Sequence, residues 1–526
     1  MKRMESPASG VKIALLLSVG LLPILAFATD APSPSAEGRT VAYFQSIRNN
    51  PNQLLLFLRE MPKGGDLHTH LLGAVYAESF IQWAADDGLC VDEKSFVISA
   101  PPCAREKGTV PASKALSDPI LYREMIDAYS MRNWQLSGQS GHDHFFDSFD
   151  KFIVAGFGNA GKMLAETASR AASQRELYQE QMHNPAFPQI AALAARSGWT
   201  DDFARQREKL LAGGMAEVVA AARKEMDEAE ATRNSLLRCA SSEPDPGCKI
   251  TQRYLYMVLR AFPKEAVFAQ MVLGFELAGA DPRFVGINLV QPEDWHIPTR
   301  DFRLQMQMLD YLHSVYPKVH IALHAGELAP GLVPPEDMSF HIRSAVEIGH
   351  AERIGHGVDV LYEKRPRELL RELAQRNVMV EICLTSNATI LGVEGNRHPL
   401  AEFIAAQVPV ALATDDEGVS RSDMTQEFLR GALDQKLSYP ELKKMVRTSL
   451  EYSFIPGQSL WSDGRNFIPA KECASDLGKA QPASAPCRSL VQGSEKAGLQ
   501  WQLESQLAAF ESQPWPAATE SHAAQR

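Results

Sequence analysis

The sequence predicts an α/β protein built on a (β/α)8 TIM barrel with helical insertions and C-terminal helices. Short apolar runs recur at 284–290, 319–324, 353–357, 378–384 and 408–414, and the further candidates 67–70, 250–259 and 176–182, the last not a strand on its own evidence, bring the number to eight. The stretches between them place apolar residues at every third or fourth position, the spacing of one helix face. Strands alternating with helices pair in parallel, and eight parallel strands can close on themselves. An open doubly wound sheet is the alternative, but no G-x-G-x-x-G follows the first strand to support it.

From the N-terminus, Lys2, Arg3 and Lys12 precede an apolar run at 13–25, followed by Ala26-Phe27-Ala28. The run is too short to span a bilayer comfortably, and small-x-small is a cleavage signal. Residues 1–28 therefore read as a secretory signal cut after Ala28, with a secreted or periplasmic product. An uncleaved N-terminal anchor is the alternative. Residues 29–39 are rich in Pro, Ser and Ala and read as a disordered linker. Residues 40–512 read as the barrel, opened by a helix at 40–60 and closed by a helical extension. Within this span, 86–118 reads as a long loop and 142–173 and 201–238 as helices. After Asp416 the pattern stays helical to about Tyr452. A Pro/Gly/Cys-rich loop and a final helix near 489–510 follow, then a disordered polar tail at 513–526.

Composition narrows the function. Hydrophobic residues at 45% and charged residues at 22% exclude a disordered or fibrous chain. Asp+Glu 64 outnumber Lys+Arg 53, so the net charge is −11 and phosphate backbones are not attracted; nucleic acid is not an expected partner. No second apolar run approaches a membrane span, so no stable membrane association is expected after signal cleavage. Oligomeric state is not legible. Six of the seven cysteines form near neighbours: Cys90 with Cys103, Cys239 with Cys248, Cys473 with Cys487. In an oxidising compartment these form local disulfides, each stabilising by roughly 3 kcal/mol; unrelated reduced thiols are the alternative. Cys383, in an apolar stretch, reads as a buried free thiol. The absence of any C-x-x-C argues against zinc ribbons, thioredoxin-like redox sites and the cytidine-deaminase type of zinc site.

The chemistry lies in the polar residues that end the strands. His68 and His70 are two apart on a strand and so share a face. His324 ends the fifth run and Glu327 follows it; His356 ends the sixth; Asp415 and Asp416 follow the eighth. On a barrel these positions open onto one mouth, where active sites sit. Three imidazoles and a carboxylate suit Zn2+ or a similar divalent ion, one per chain, with a position left for water. Such an ion lowers the pKa of bound water toward neutrality. Glu327 can then carry a proton to a ring nitrogen, and His356 can orient or stabilise the attacking hydroxide. Successive side chains point opposite ways, so Asp415 is assigned to the metal and Asp416 to the substrate.

These residues resemble the adenosine deaminase family of metal-dependent hydrolases. Asp66-Leu67-His68-Thr69-His70-Leu71, His324-Ala325-Gly326-Glu327, Arg353-Ile354-Gly355-His356-Gly357, Glu381-Ile382-Cys383-Leu384-Thr385-Ser386-Asn387 and Thr414-Asp415-Asp416 follow the family's motifs in order, from about Thr40 to Tyr452. The signal and the Cys-bearing loops resemble its secreted, growth-factor-like branch. The resemblance implies one Zn2+ held by His68, His70, His324 and Asp415. It implies protonation of purine N1 by Glu327, assistance to the attacking hydroxide by His356 and a hydrogen bond from Asp416 to N7. The reaction implied is hydrolytic deamination at C6 of adenosine or 2'-deoxyadenosine to inosine and ammonia. The alternatives are deamination of another 6-aminopurine or modified nucleoside, and a vestigial nucleoside-binding site. Four positions depart from the pattern. Leu72 replaces a ribose-holding acid, Gln291 or Pro292 stands where a Gly lets backbone approach the purine, Glu417 replaces a Pro, and Leu384 replaces another. Phe145, Phe146 and Phe149, with His142 and His144, read as core or as a lid; His341 and His350 read as helical or loop surface residues.

Overall fold

The computed structural model describes residues 35–516. The segment read as a signal peptide, most of the linker, and residues 517–526 of the tail lie outside them. Eight parallel strands form the central sheet: β1 Gly64–His70, β2 Glu176–His183, β3 Thr251–Leu259, β4 Phe284–Val290, β5 His320–Ala325, β6 Arg353–His356, β7 Met379–Ile382 and β8 Val410–Leu412. They pair in chain order. The sheet closes from last to first, where the Asp415 N–H donates to the His68 carbonyl at 2.8 Å and the His70 N–H to the Asp415 carbonyl at 3.2 Å. The expected (β/α)8 barrel is therefore present, and each strand overlaps one of the eight candidate segments.

The apolar pattern explains each layer. All seven positions of β4 are buried, because the barrel interior covers one face of the strand and helices cover the other. Helix Lys264–Ala280 is apolar around most of its circumference, since it packs on β3 and β4 and is flanked by helices Phe187–Ser197 and His296–Val315. Helix Pro366–Arg376 buries one face only, through Leu369, Leu370, Leu373 and Ala374. Its Pro sits in the first turn, where no intrahelical N–H is needed. At the N-terminal end of the barrel, Phe454 stacks on His320 at 4.6 Å and lies under the Arg353 guanidinium at 3.9 Å.

Several local readings are corrected. A helix spans Ala36–Ile47, so the linker ends before residue 36. Thr40, Phe44 and Ile47, one helical stripe, are buried, and Phe44 meets Phe57 at 5.5 Å. The loop at 86–118 holds a three-stranded antiparallel sheet, Cys90–Asp92, Ile98–Ser99 and Thr109–Pro111, with strands too short to show alternation. The predicted helix at 142–173 breaks between Gly141–Gly156 and Ala160–Ser173, and Gly158 in the gap has φ +75°. The one at 201–238 is interrupted at Leu211–Met215 around Gly213-Gly214. The final helix is two, Ala485–Gly493 and Glu495–Glu511, with Ser494 capping the second. The tail is ordered as far as Trp515, which stacks on Tyr43 at 5.1 Å. The three expected disulfides are present, and Cys383 is a buried free thiol.

Candidate active site

Strand ends deliver the predicted residues to one place. His68 and His70 lie on β1, His324 on β5, and Asp415 in the turn after β8. The His324 ring centroid is 4.4 Å from that of His68 and 5.2 Å from that of His70. Asp415 Oδ1 lies 3.2 Å from His70 Nε2 and 3.5 Å from His68 Nε2. Asp415 has φ +62° and His356 φ +67°, left-handed conformations costly for residues with a Cβ. The closing hydrogen bonds to His68 and His70 hold Asp415 there.

The surrounding groups set the protons. His68 Nδ1 lies 2.6 Å from Glu381 Oε2, and His324 Nδ1 donates to Asn288 Oδ1 at 2.8 Å. Each ring thus turns Nε2 toward the other, at 3.1 Å. Two bare lone pairs at that distance repel unless a cation or a proton lies with them. Burial disfavours charge on His68, yet Asp415 and Glu381 raise it to about 10. Burial and the neighbouring His68 and His356 hold His324 well below its ordinary value. The centre draws one positive charge into a site that solvent barely reaches. Potential ligand atoms of His68, His324, His356 and Asp415 lie within 4.8 Å of one another, as do those of His70, Asp415 and Asp416. The expected ligands His68, His70, His324 and Asp415 thus fall in two overlapping groups whose imidazoles and carboxylates fit a divalent metal ion.

Behind these groups runs a buried ionic chain. Arg353 pairs with Glu381 at 2.7 Å and with Glu180 at 2.6 Å, and Glu180 accepts from the Phe454 N–H at 2.6 Å. Ser386 donates to Asp415 Oδ2 at 2.6 Å. Outer partners of this kind fix ring orientation and ligand basicity.

Two acids whose carboxyls are held above the usual range face the same mouth. The Glu327 side chain is 9% exposed, and its near-burial with the charges of Asp415 and Glu293 pushes its carboxyl well above the usual range. Its backbone is positioned by Glu293, which accepts from the Gly326 and Glu327 N–H groups at 3.2 and 3.0 Å. Gly326 at this turn has φ +77°. Asp416 is raised by burial and by Asp415, and its Oδ1 is buried without a hydrogen-bond partner among the described residues. A Cβ on Gly73 would overlap that oxygen, so the turn after β1 needs glycine. His356 Nε2 lies 3.7 Å from Glu327 Oε1 and 4.0 Å from Asp415 Oδ2.

Other readings are revised. His341 is buried, not at the surface: its ring stacks on Phe302 at 4.0 Å, and Nδ1 lies 2.5 Å from Glu293 Oε2. Gln291 takes φ +87°, the kind of backbone a glycine would supply, and commits its side chain to the Ala261 N–H at 2.9 Å. Leu72 packs beside Gly156. Phe145 is core, while His142 on the same helix reaches Asp294, beyond β4, at 3.0 Å. Sequence reasoning missed Glu293, Asn288 and Arg353 as supporting groups. A charge inside an apolar strand run, as at Glu381, is the signal that could have found such residues.

A closed parallel barrel with three histidines and an aspartate at its C-terminal mouth has the architecture of a metal-dependent hydrolase. The adenosine deaminase family model matches residues 212–460. The chain is 30% identical over 185 residues to an adenosine deaminase of Enterococcus faecalis, covering 35% of this chain and 46% of that protein. It is 36% identical over 140 residues to an adenosine deaminase of Escherichia coli strain SE11, covering 26% and 39%. The matches span less than half the length of these curated relatives. The crystal structure of an N6-mAMP deaminase from Arabidopsis superposes with TM-score 0.50 at 20% identity, covering 76% of this chain and 96% of that one. The chain is thus similar to the adenosine deaminase family over residues 212–460, just under half of its length.

Proposed function

We propose that this protein is a metal-dependent hydrolase that deaminates a 6-aminopurine, with adenosine or 2'-deoxyadenosine as the leading substrates. Water and the aminopurine would give the 6-oxo product and ammonia. One observation carries the reading: a histidine–aspartate group able to hold a cation shares one mouth with two carboxyls whose burial and anionic neighbours raise their proton affinity, Glu327 and Asp416. His68, His70, His324 and Asp415 would hold the metal, with Zn2+ favoured by the nitrogen-rich donor set. When bound, that ion acts as a Lewis acid that makes a water in the site acidic near neutral pH.

The chain's own residues supply the rest. A neutral Glu327 carboxyl can give its proton to a ring nitrogen acceptor, which draws electrons from C6 and prepares it for attack. The anion left behind can take up a proton from water and pass it to the departing amine. Asp416, with an unsatisfied oxygen, can hydrogen-bond a second ring nitrogen and hold the purine in register. Burial excludes bulk water from these exchanges.

A second reading, deamination of a modified or phosphorylated 6-aminopurine, is favoured by Leu72, which offers no hydrogen bond on the side where a sugar would lie. Ammonia release from a panel of purines, with metal content measured on the same protein, tests both. Metal-loaded protein that turns over no 6-aminopurine would overturn the proposal. The three disulfides support an oxidising compartment, secreted or periplasmic.

A further inference from the structure

A chain of hydrogen bonds outside the metal group ends on His356, and it starts from a donor that cannot be reversed. The backbone N–H of Leu400 points at His398 Nδ1, 3.1 Å away. A backbone N–H only donates, so Nδ1 of His398 accepts and its proton must sit on Nε2. His398 Nε2 lies 3.0 Å from Asn387 Oδ1, an acceptor, which leaves the Asn387 amide nitrogen facing onward. That nitrogen donates to His356 Nδ1 at 2.9 Å. His356 Nδ1 therefore accepts, and its own proton is on Nε2. That Nε2 is buried, has no hydrogen-bond partner among the described residues, and faces the space between Glu327 and Asp415. His68 and His324 show the opposite arrangement, with Nδ1 toward Glu381 and Asn288 and Nε2 directed at the centre. His398 and Asn387 are themselves closed to solvent, so no exchange with water resets the chain.

We propose that Asn387 and His398 are positioning residues that lock His356 in its Nε2–H form, so that His356 serves as a hydrogen-bond donor to the reacting oxygen and neither ligates the metal nor acts as the base. Its catalytic meaning rests on the deaminase reading; the tautomer does not, so the two can fail separately. A donor fixed before substrate arrives needs no reorganisation during the reaction.

The test uses the full chain labelled with 15N in its histidine side chains. NMR signals of protonated and bare imidazole nitrogens differ, and the His356 signals are assigned by their loss in His356→Asn. The expected wild-type result is a protonated Nε2 and a bare Nδ1. Asn387→Asp replaces the amide donor with an acceptor of the same shape. It should move the proton to Nδ1 and lower kcat by roughly 10²-fold or more, with KM changed much less. His398→Gln retains an N–H toward Asn387 and should recover most of the kcat lost in His398→Ala. A wild-type His356 protonated on Nδ1, or an Asn387→Asp spectrum identical to wild type, overturns the proposal even in an active deaminase. The predicted tautomer in a protein that deaminates nothing upholds the lock and overturns the functional reading alone. Should Asn387→Asp fail to fold, the wild-type spectrum and the His398 pair still decide.

Discussion

Glu381 Oε2 lies 2.6 Å from His68 Nδ1, with both side chains closed to solvent. The other carboxylate oxygen takes a hydrogen bond from Arg353. Against burial, which would raise it, Arg353 and His68 hold Glu381 below the ordinary carboxylate range, so it is an anion at neutral pH. A full negative charge therefore stands behind one histidine of the centre, where the neutral amide of Asn288 stands behind another. Replacing Glu381 by Gln keeps the shape and removes that charge. Metal affinity should fall about 10- to 100-fold, read by chelator competition. Unchanged affinity would mean that Glu381 serves packing alone.

Glu327 should matter for turnover and not for metal. Glu327→Gln removes a carboxyl whose proton affinity burial and Asp415 raise. A drop in kcat of about 10²- to 10⁴-fold is expected, with metal content equal to wild type. A variant that keeps full activity would remove Glu327 from the chemistry.

Gly73→Ala probes Asp416 without replacing it. The added methyl falls on Asp416 Oδ1, which must swing away from the mouth. The expected outcome is a KM raised by about tenfold, with a smaller effect on metal content. Unaltered kinetics would show that Asp416 does not meet the substrate.

Glu293 gives the fold a defined acid sensitivity. Burial would raise its carboxyl, but His341, Arg260 and the Glu327 N–H hold it down to about 2, against an ordinary value of 4.5. The stability it contributes is fully present above the unfolded value and is lost as pH falls from about 4.5 through about 2. Urea unfolding of chelator-treated protein across that window should show wild type losing stability faster with acid than Glu293→Gln. Parallel pH curves for the two proteins would contradict the assignment.

The Cys473–Cys487 disulfide joins residues 14 positions apart and packs with Leu460, Trp461 and Trp501. Loop entropy assigns it roughly 3 kcal/mol. Replacing both cysteines by Ser should lower Tm by a few degrees and leave kcat and KM unchanged. This cluster packs with the segment that covers the N-terminal end of the barrel, away from the mouth.

The alternation of apolar runs and amphipathic stretches determined the barrel, because a strand covered on both faces must be apolar throughout and a surface helix on one face only. The same pattern placed His68, His70, His324, His356 and Asp415 at strand ends, and closing a parallel barrel brings such ends together. Proton positions were not legible. They depend on which group stands behind each ring, and Glu381, Asn288 and Asn387 reach those rings across 313, 36 and 31 positions of chain. Local periodicity carries no record of such pairings. Likewise His341 resembles any helical surface residue until Phe302 and Glu293 close over it. Composition and spacing decided which residues meet; only the packed barrel decided which of them donate, which accept and which stay charged, because burial and partner identity set those states.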